Sequence, residues 1–370
     1  MFKIKKQLSK LYLSSLLGNL SLTGAWVAIL AARGYSLVEI GIAETVFHIT
    51  SLIFEMPSGV LADVFGRKKM LIVSSIMRMI GNIVMILSNG LSMVCLSLAF
   101  YALSYNFASG SDEALAYDSL KIARMEGKFE KYCSNQLVIY RLCSGISTLC
   151  AGFALFIGYR IAYGTGLITG AVQILILCSL CEVYAGNENT ESTKKGHRNL
   201  SEVGSELIDC FKESLSFLGK ARKAIRLMLC NSFVGAVDIL LLFFLQAKLQ
   251  GKLPAWWLGF ALLFMEMGGI VGSNLILQFP KLKYGGVFAV TTTLVFMGVL
   301  AEHSSMWAVM TLGGFLAAVG DDAIQVRTNA ILQDMFPSEQ RATLTSVESF
   351  SFSVIMIVLS PLAGIVFTYW

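Results

Sequence analysis

Asp238 and Glu266 each stand deep inside a long apolar run, near residues 226–247 and 255–279. A charge withdrawn from water at such a depth is costly by roughly 2.5–3.5 kcal/mol or more, so a carboxylate kept there is a functional candidate. Away from water a carboxyl group can bind and release a proton near neutral pH, which is the property that proton coupling requires. Arg141, in the run 133–158, brings the opposite charge: it can bind an anionic group, pair with one of these carboxylates, or extend toward the surface. Glu44 and His48 are four residues apart in the run 37–58 and share a helix face, as a proton relay or a hydrogen-bonded structural pair would. Asp321 and Asp322 lie near the end of the run 305–327, where Arg327 or Lys281 can pair with them as part of a gate. Asn19, Tyr105, Asn106 and Gln173 add hydrogen-bonding groups inside other apolar runs.

The elements that position these residues are membrane spans. Over 370 residues the chain is 55% hydrophobic and only 14% charged, with a mean hydropathy of +0.68, whereas a soluble domain is roughly 25% charged. Windows of about 20 apolar residues fall near 11–32, 37–58, 70–88, 91–113, 133–158, 161–184, 226–247, 255–279, 285–301, 305–327 and 342–367. That pattern predicts an all-α polytopic protein with about 11 spans. Pro57, Pro254, Pro280 and Pro337 lie at or beside the ends of these segments, and Pro361 alone interrupts one. The basic N-terminus (Lys3, Lys5, Lys6, Lys10) precedes a run too long for a signal peptide, so 11–32 is the first span. With that end in the cytoplasm, roughly 23 Lys and Arg fall on cytoplasmic stretches against about four outside, which sets the orientation.

The net charge of +5 therefore reflects topology and gives no sign of a nucleic-acid partner. Eight Cys without paired extracellular spacing are expected to be free thiols, and Cys178-x-x-Cys181 reads as two small hydrophobes of an apolar run. The polar, basic stretch 185–225 divides a six-span bundle, 1–184, from a five-span bundle, 226–370. Within it Asn199 and Glu202 have capping-box spacing, and Leu200, Val203, Leu207, Phe211, Leu215 and Leu218 recur at helical spacing, which predicts an amphipathic helix along the inner membrane face. A shift of about 213 residues places Gly59 on Gly272 and Lys68 on Lys281, a faint parallel repeat of the two halves. In the second copy Ile276 stands where Asp63 would be.

Between the second and third runs lies Gly59-Val60-Leu61-Ala62-Asp63-Val64-Phe65-Gly66-Arg67-Lys68-Lys69, read as a tight charged turn. This segment, on to Leu71, resembles the loop between the second and third helices of the major facilitator superfamily of secondary transporters, G-x-L-A-D-x-x-G-R-[KR]-x-x-L. Phe54–Ser58, Gly110–Leu115 and Pro337–Thr343 are similar to a bacterial, multidrug/permease-type subgroup of the same superfamily, so the resemblance spans nearly the whole chain. It implies two pseudo-symmetric helical bundles working by alternating access, with spans 1, 4, 7 and 10 and parts of 2, 5, 8 and 11 lining a central cavity. Asp238 and Glu266 then lie on lining spans. Arg78 lies on the peripheral third span, where it reads as snorkelling to the surface. The resemblance makes Gly59, Asp63, Gly66, Arg67 and Lys68 a gate latch, with Arg67 pairing Asp112 or Glu113 and the 337–341 stretch nearby. The family usually has twelve spans, whereas the apolar pattern of this sequence predicts about 11, the peripheral twelfth being the one without a counterpart.

No G-x-x-x-x-G-K-[ST] and no H-E-x-x-H or His/Cys cluster is present, so neither ATP use nor a metal centre or other cofactor is expected, and the chain does not read as an enzyme. The expected activity is secondary transport of a small molecule, leaning to proton-coupled efflux of drug-like compounds. A sugar or metabolite importer is the alternative within the class, and a non-transporting sensor or inactive copy is the alternative outside it. Partners are then the substrate, protons and the lipid bilayer of a bacterial cytoplasmic membrane, with the protein a monomer.

Overall fold

The computed structural model describes residues 3–183, 222–335 and 341–369. The amphipathic helix expected within 185–225 therefore falls, up to residue 221, outside the described residues, as do 336–340 and the side chain of Asp63. Fourteen α-helices are described: α1 (Ile4–Asn19), α2 (Trp26–Ala32), α3 (Leu37–Phe65), α4 (Arg67–Leu87), α5 (Leu91–Ala108), α6 (Ser111–Ile122), α7 (Phe129–Leu149), α8 (Ala151–Ile157), α9 (Tyr159–Cys178), α10 (Arg222–Gln250), α11 (Ala255–Leu275), α12 (Tyr284–Glu302), α13 (Trp307–Met335) and α14 (Arg341–Tyr369). No strand occurs among the described residues.

Nine of the helical segments are long and apolar enough to cross a membrane, and α7 with α8, bent by 49° at their break, makes a tenth. The first expected span is not one helix. Asn19 turns its amide back onto the Ser15 carbonyl at 2.9 Å, Leu20 is extended, and α2 starts only at Trp26. Gly18, Ser21, Thr23 and Gly24 cluster at this break, where hydroxyls compete for backbone hydrogen bonds and glycine disfavours the helix.

The charged turn also differs from the sequence reading. Helix α3 runs through Pro57 to Phe65, and Gly66 alone separates it from α4. A proline inside a helix is tolerated in membrane proteins, where neighbouring groups take up the freed carbonyl. Gly66 has φ of 105°, a conformation that residues with a Cβ rarely adopt, so glycine is what allows the reversal to occupy one residue.

Two compact units are built from non-contiguous segments. The first comprises Met1–Ser21, Thr50–Ile146 and Arg160–Glu213, and the second Leu22–Ile49, Ser147–Tyr159 and Ser214–Trp370. In the first unit α4 packs on α5 and α6, and Leu11, Leu71, Leu115, Tyr132 and Leu177 share a buried cluster. In the second, α10 packs against α2, α13 and α14, and α11 against α8 and α13. Its core gathers Ala28, Ala151, Leu240, Phe244, Leu258, Met265, Met310 and Met356. At the end of this unit where α10 passes into α11, the buried Glu302, 1% exposed, forms an ion pair with Lys248, and Lys252 donates to the Ser304 carbonyl at 3.1 Å. These two lysines, counted from sequence only as loop charges, fasten α10 to the end of α12.

Candidate functional site

The charged residues after Gly66 are anchored inside the first unit. Arg67 forms an ion pair with Asp118 and donates to the Ala114 carbonyl at 2.8 Å. Asp118 lies on α6 beyond Asp112 and Glu113, the partners expected from sequence. Asp112 accepts hydrogen bonds from Tyr132 (2.7 Å) and Gln136 (2.6 Å), and Glu113 is exposed. The reason is reach: α6 continues to Ile122, well past the expected span end near 113, and its later turn meets the guanidinium. Lys68 donates to the Cys178 carbonyl at 2.8 Å, and its backbone N–H meets the Glu182 carboxylate at 3.0 Å. A carboxylate at a helix start satisfies an amide that has no intrahelical partner and complements the positive end of the helix dipole. Cys178 and Cys181 are exposed at the end of α9 and are not packed within an apolar run. A Cβ built at Gly59 would meet nothing within 4 Å.

The deep carboxylates belong to the second unit. Asp238, on α10, interacts electrostatically with both Asp321 and Asp322 on α13. Glycine makes room for them. A Cβ at Gly235 would lie 3.1 Å from the Asp321 carboxylate, and one at Gly269 would collide with that of Asp322. Asp238 has no ion pair among the described residues. The basic partners expected for Asp321 and Asp322 are elsewhere: Arg327 donates to the carbonyls of Phe279 (2.6 Å) and Pro280 (3.1 Å), and Lys281 is exposed. Arg327 is drawn there because the carbonyls that end the 3-10 turn Ile276–Gln278 lack helical partners.

Glu266, on α11, accepts a hydrogen bond from Thr148 of α7 at 2.7 Å. Glu44 and His48 are 7% and 6% exposed and meet at 3.2 Å through Oε1 and Nε2, while His48 Nδ1 has no hydrogen-bond partner. The His48 ring stands edge-on to Phe352 of α14, with centroids 5.6 Å apart. Arg141 is exposed, with no ion pair among the described residues.

Of the other polar candidates, Asn106 is occupied by Ser51, Asn19 by its own helix, and Gln173 by Ser14, Ser75 and Arg78, whereas Tyr105 is exposed. Arg78 does not snorkel: it donates to the Gly18 carbonyl and to Gln173.

Two backbone seams close the second unit at the end where α11 begins. Glycines let α8 lie on α11, since a Cβ at Gly152 would strike the Ala255 carbonyl and come within 2.8 Å of Trp256 N, and one at Gly259 would come within 2.9 Å of the Leu149 carbonyl carbon. The start of α3 lies on α14 in the same way, with Gly364 2.6 Å from the Leu37 oxygen and Gly41 2.9 Å from the Ser360 carbonyl carbon by the same construction. Sequence reasoning missed these seams, Asp118 and Glu182, because none of them is marked by an unusual residue in an unusual place.

The fold has known counterparts. The chain is 24% identical over 331 residues, 88% of its length and 79% of the other, to YxaM of Bacillus subtilis (strain 168), described as an uncharacterized MFS-type transporter. Among solved structures it superposes on a D-xylose-proton symporter with a TM-score of 0.71, at 11% identity over 98% of this chain and 89% of that one. It superposes on the nucleoside transporter NupG with a TM-score of 0.68, at 13% identity over 100% and 92%. The fold is that of the major facilitator superfamily. No family model matches the chain. The nine or ten described helical segments long and apolar enough to cross a membrane agree with that fold and with a multi-pass membrane protein.

Proposed function

We propose that this protein is a secondary transporter that exchanges a small organic molecule for protons by alternating access, with Asp238 as the proton-carrying group. The observation that carries the reading is the environment of Asp238: an interior carboxylate that faces two more carboxylates and has no ion pair among the described residues. Three negative charges held together inside a bilayer repel one another, and proton uptake relieves both the repulsion and the desolvation. A cationic group of a substrate would relieve the same repulsion, so proton and substrate compete for one place. Competition of that kind is the basis of antiport, and it directs the reading to efflux of amphiphilic, drug-like compounds. Glu266, bonded to Thr148, is the second proton candidate.

The seams at Gly152–Ala255 and Gly41–Ser360 supply the outer closure, with the N-terminus cytoplasmic and the protein in a bacterial plasma membrane. The bundles 1–184 and 226–370, joined by 185–225, alternate in access without each moving as one rigid body, because 22–49 and 147–159 are packed with the second unit. Arg67, Asp118 and Glu182 fasten the inner junction that the motif marks. Import of a sugar or metabolite is the second reading, supported by the D-xylose-proton symporter among the structural neighbours.

Compounds that raise the thermal stability of the purified protein should be found first, and then followed in vesicles under an imposed pH gradient. The reading expects gradient-driven extrusion that is lost in Asp238→Asn with Glu266→Gln. Extrusion that survives both substitutions removes the proton assignment, uptake with the proton establishes the importer reading, and no movement of any bound compound by a stable protein removes transport.

A further inference from the structure

Among the described residues Arg78 is the basic side chain placed between helices near the middle of its span, and its partners are unlike those of an ordinary ion pair. Its guanidinium donates to the carbonyl of Gly18 in the last turn of α1 and to Oε1 of Gln173 on α9. Gln173 Oε1 also accepts from Ser75 at 2.9 Å, and Gln173 Nε2 donates to the Ser14 carbonyl at 2.9 Å and to Ser14 Oγ at 3.2 Å. Helices α1, α4 and α9 are thus joined within one unit at the level where α1 stops. Glycine at 18 is part of the arrangement, because a Cβ there would lie 2.9 Å from Gln173 Nε2 and 3.5 Å from the guanidinium.

A helix end inside a membrane exposes carbonyls without partners, and non-helical backbone at that depth is tolerated only where protein or water satisfies it. The negative end of the helix dipole favours a cation, and a guanidinium presents five donors in a planar fork. Arg78 meets both needs.

The division of the molecule falls at the same place. Residues up to Ser21 belong to the first unit and residues from Leu22 to the second. In the second unit α2 is held independently: Val27, Ala28, Ile29 and Leu30 are buried, and Trp26 stands edge-on to Phe243 of α10 at 5.3 Å. A similar coincidence occurs in the fifth span, where the chain changes unit after Ile146 and the α7–α8 break follows Leu149.

We propose that residues 20–25 are a joint in the first span and that Arg78 is the positioning residue that clamps the joint on the α1 side. The clamp keeps α1 with α4 and α9 while α2 stays with α10, so bending is confined to the six residues between them. Its part in a transport cycle rests on the alternating-access reading, but the joint can be measured with no substrate present.

Hydrogen–deuterium exchange of the full chain in lipid nanodiscs is the test, comparing wild type with Arg78→Ala, Arg78→Lys and Gly18→Ala. Gly18→Ala attacks the clamp from the opposite side and keeps the charge, so it serves if Arg78→Ala fails to fold. Amides in 14–25 should exchange at least tenfold faster in Arg78→Ala and Gly18→Ala, with Arg78→Lys between them and wild type. Exchange in α5, which packs on α4 and takes no part in the Arg78–Gly18–Gln173 bonds, should stay as in wild type. Wild-type exchange over 14–25 in folded Arg78→Ala or Gly18→Ala overturns the clamp, as does acceleration of equal size throughout α5. A protein that shows the local effect and transports nothing would refute the transport reading and leave the joint standing.

Discussion

Replacing Gly152 by valine should pry open the seam between α8 and α11. The nearest atoms to a Cβ at 152 are backbone: the carbonyl of Ala255 and, at 2.8 Å, the nitrogen of Trp256. Backbone cannot rotate away, and carbon atoms in contact settle at about 3.5–4.0 Å. The two helices must therefore separate by roughly an ångström, enough to forfeit a quarter to a half of each dispersion contact along the seam. Overpacking of this kind costs about 1–3 kcal/mol. If the seam opens during the cycle, the cost falls on the closed state alone and shifts the open fraction by roughly 5- to 150-fold. Thr148 lies behind the seam and is 7% exposed, so Thr148→Cys in a background free of other cysteines reports opening. Membrane-impermeant maleimide applied to right-side-out vesicles should label it faster by that factor in Gly152→Val than in the Gly152 parent. Loss of the Thr148–Glu266 bond is common to both arms and cancels. Unchanged labelling in a folded Gly152→Val protein would show that the seam is a fixed structural contact.

Other perturbations follow from the same geometry. Gly66→Ala forces a Cβ into positive φ and should destabilise by roughly 1–2 kcal/mol, whereas Gly59→Ala, with open space around it, should leave the melting temperature unchanged or raise it. Lys248→Met leaves the buried Glu302 carboxylate with His303 alone, at 3.7 Å, and should cost about 3–5 kcal/mol in chemical denaturation, with most of the loss recovered in Lys248→Met/Glu302→Leu. Asp118→Asn removes the charge opposite Arg67 and should lower stability by about 1.5–3 kcal/mol, while Glu113→Gln, at an exposed position, should have no measurable effect.

Charges stand out in an apolar run, so Asp238 and Glu266 were noticed by depth alone, and the motif around Gly66 marked the reversal between α3 and α4. What escaped was set by distance between segments remote in sequence. Asp118 was missed because the apolar window ends before α6 does, and polar residues at the end of a span look like the loop that follows. The length of α3 was underestimated because Pro57 read as a span end and Gly59–Lys69 as a turn, while in the folded chain the reversal is left to Gly66. The break after Asn19 was hidden by averaging: Leu20, Leu22 and Ala25 keep the window apolar across residues that are not helical. Gly152 and Gly235 give no sign in sequence of what they admit, since a close approach is visible only when the second backbone or carboxylate is in place. Arg78 was read as snorkelling from the position of its span, and its partners at Gly18 and Gln173 could be recognised only after three helices had been assembled.

The central claim is that substrate and proton compete at Asp238, and proton release on binding tests it most directly. A compound identified by thermal stabilisation is added to purified wild-type protein and to Asp238→Asn in weakly buffered solution containing a pH-sensitive dye. The account predicts release of about one proton per bound molecule from wild type and none from Asp238→Asn, which should still bind. Equal release from both proteins, or binding by wild type with no release across the pH range where it is stable, would contradict it.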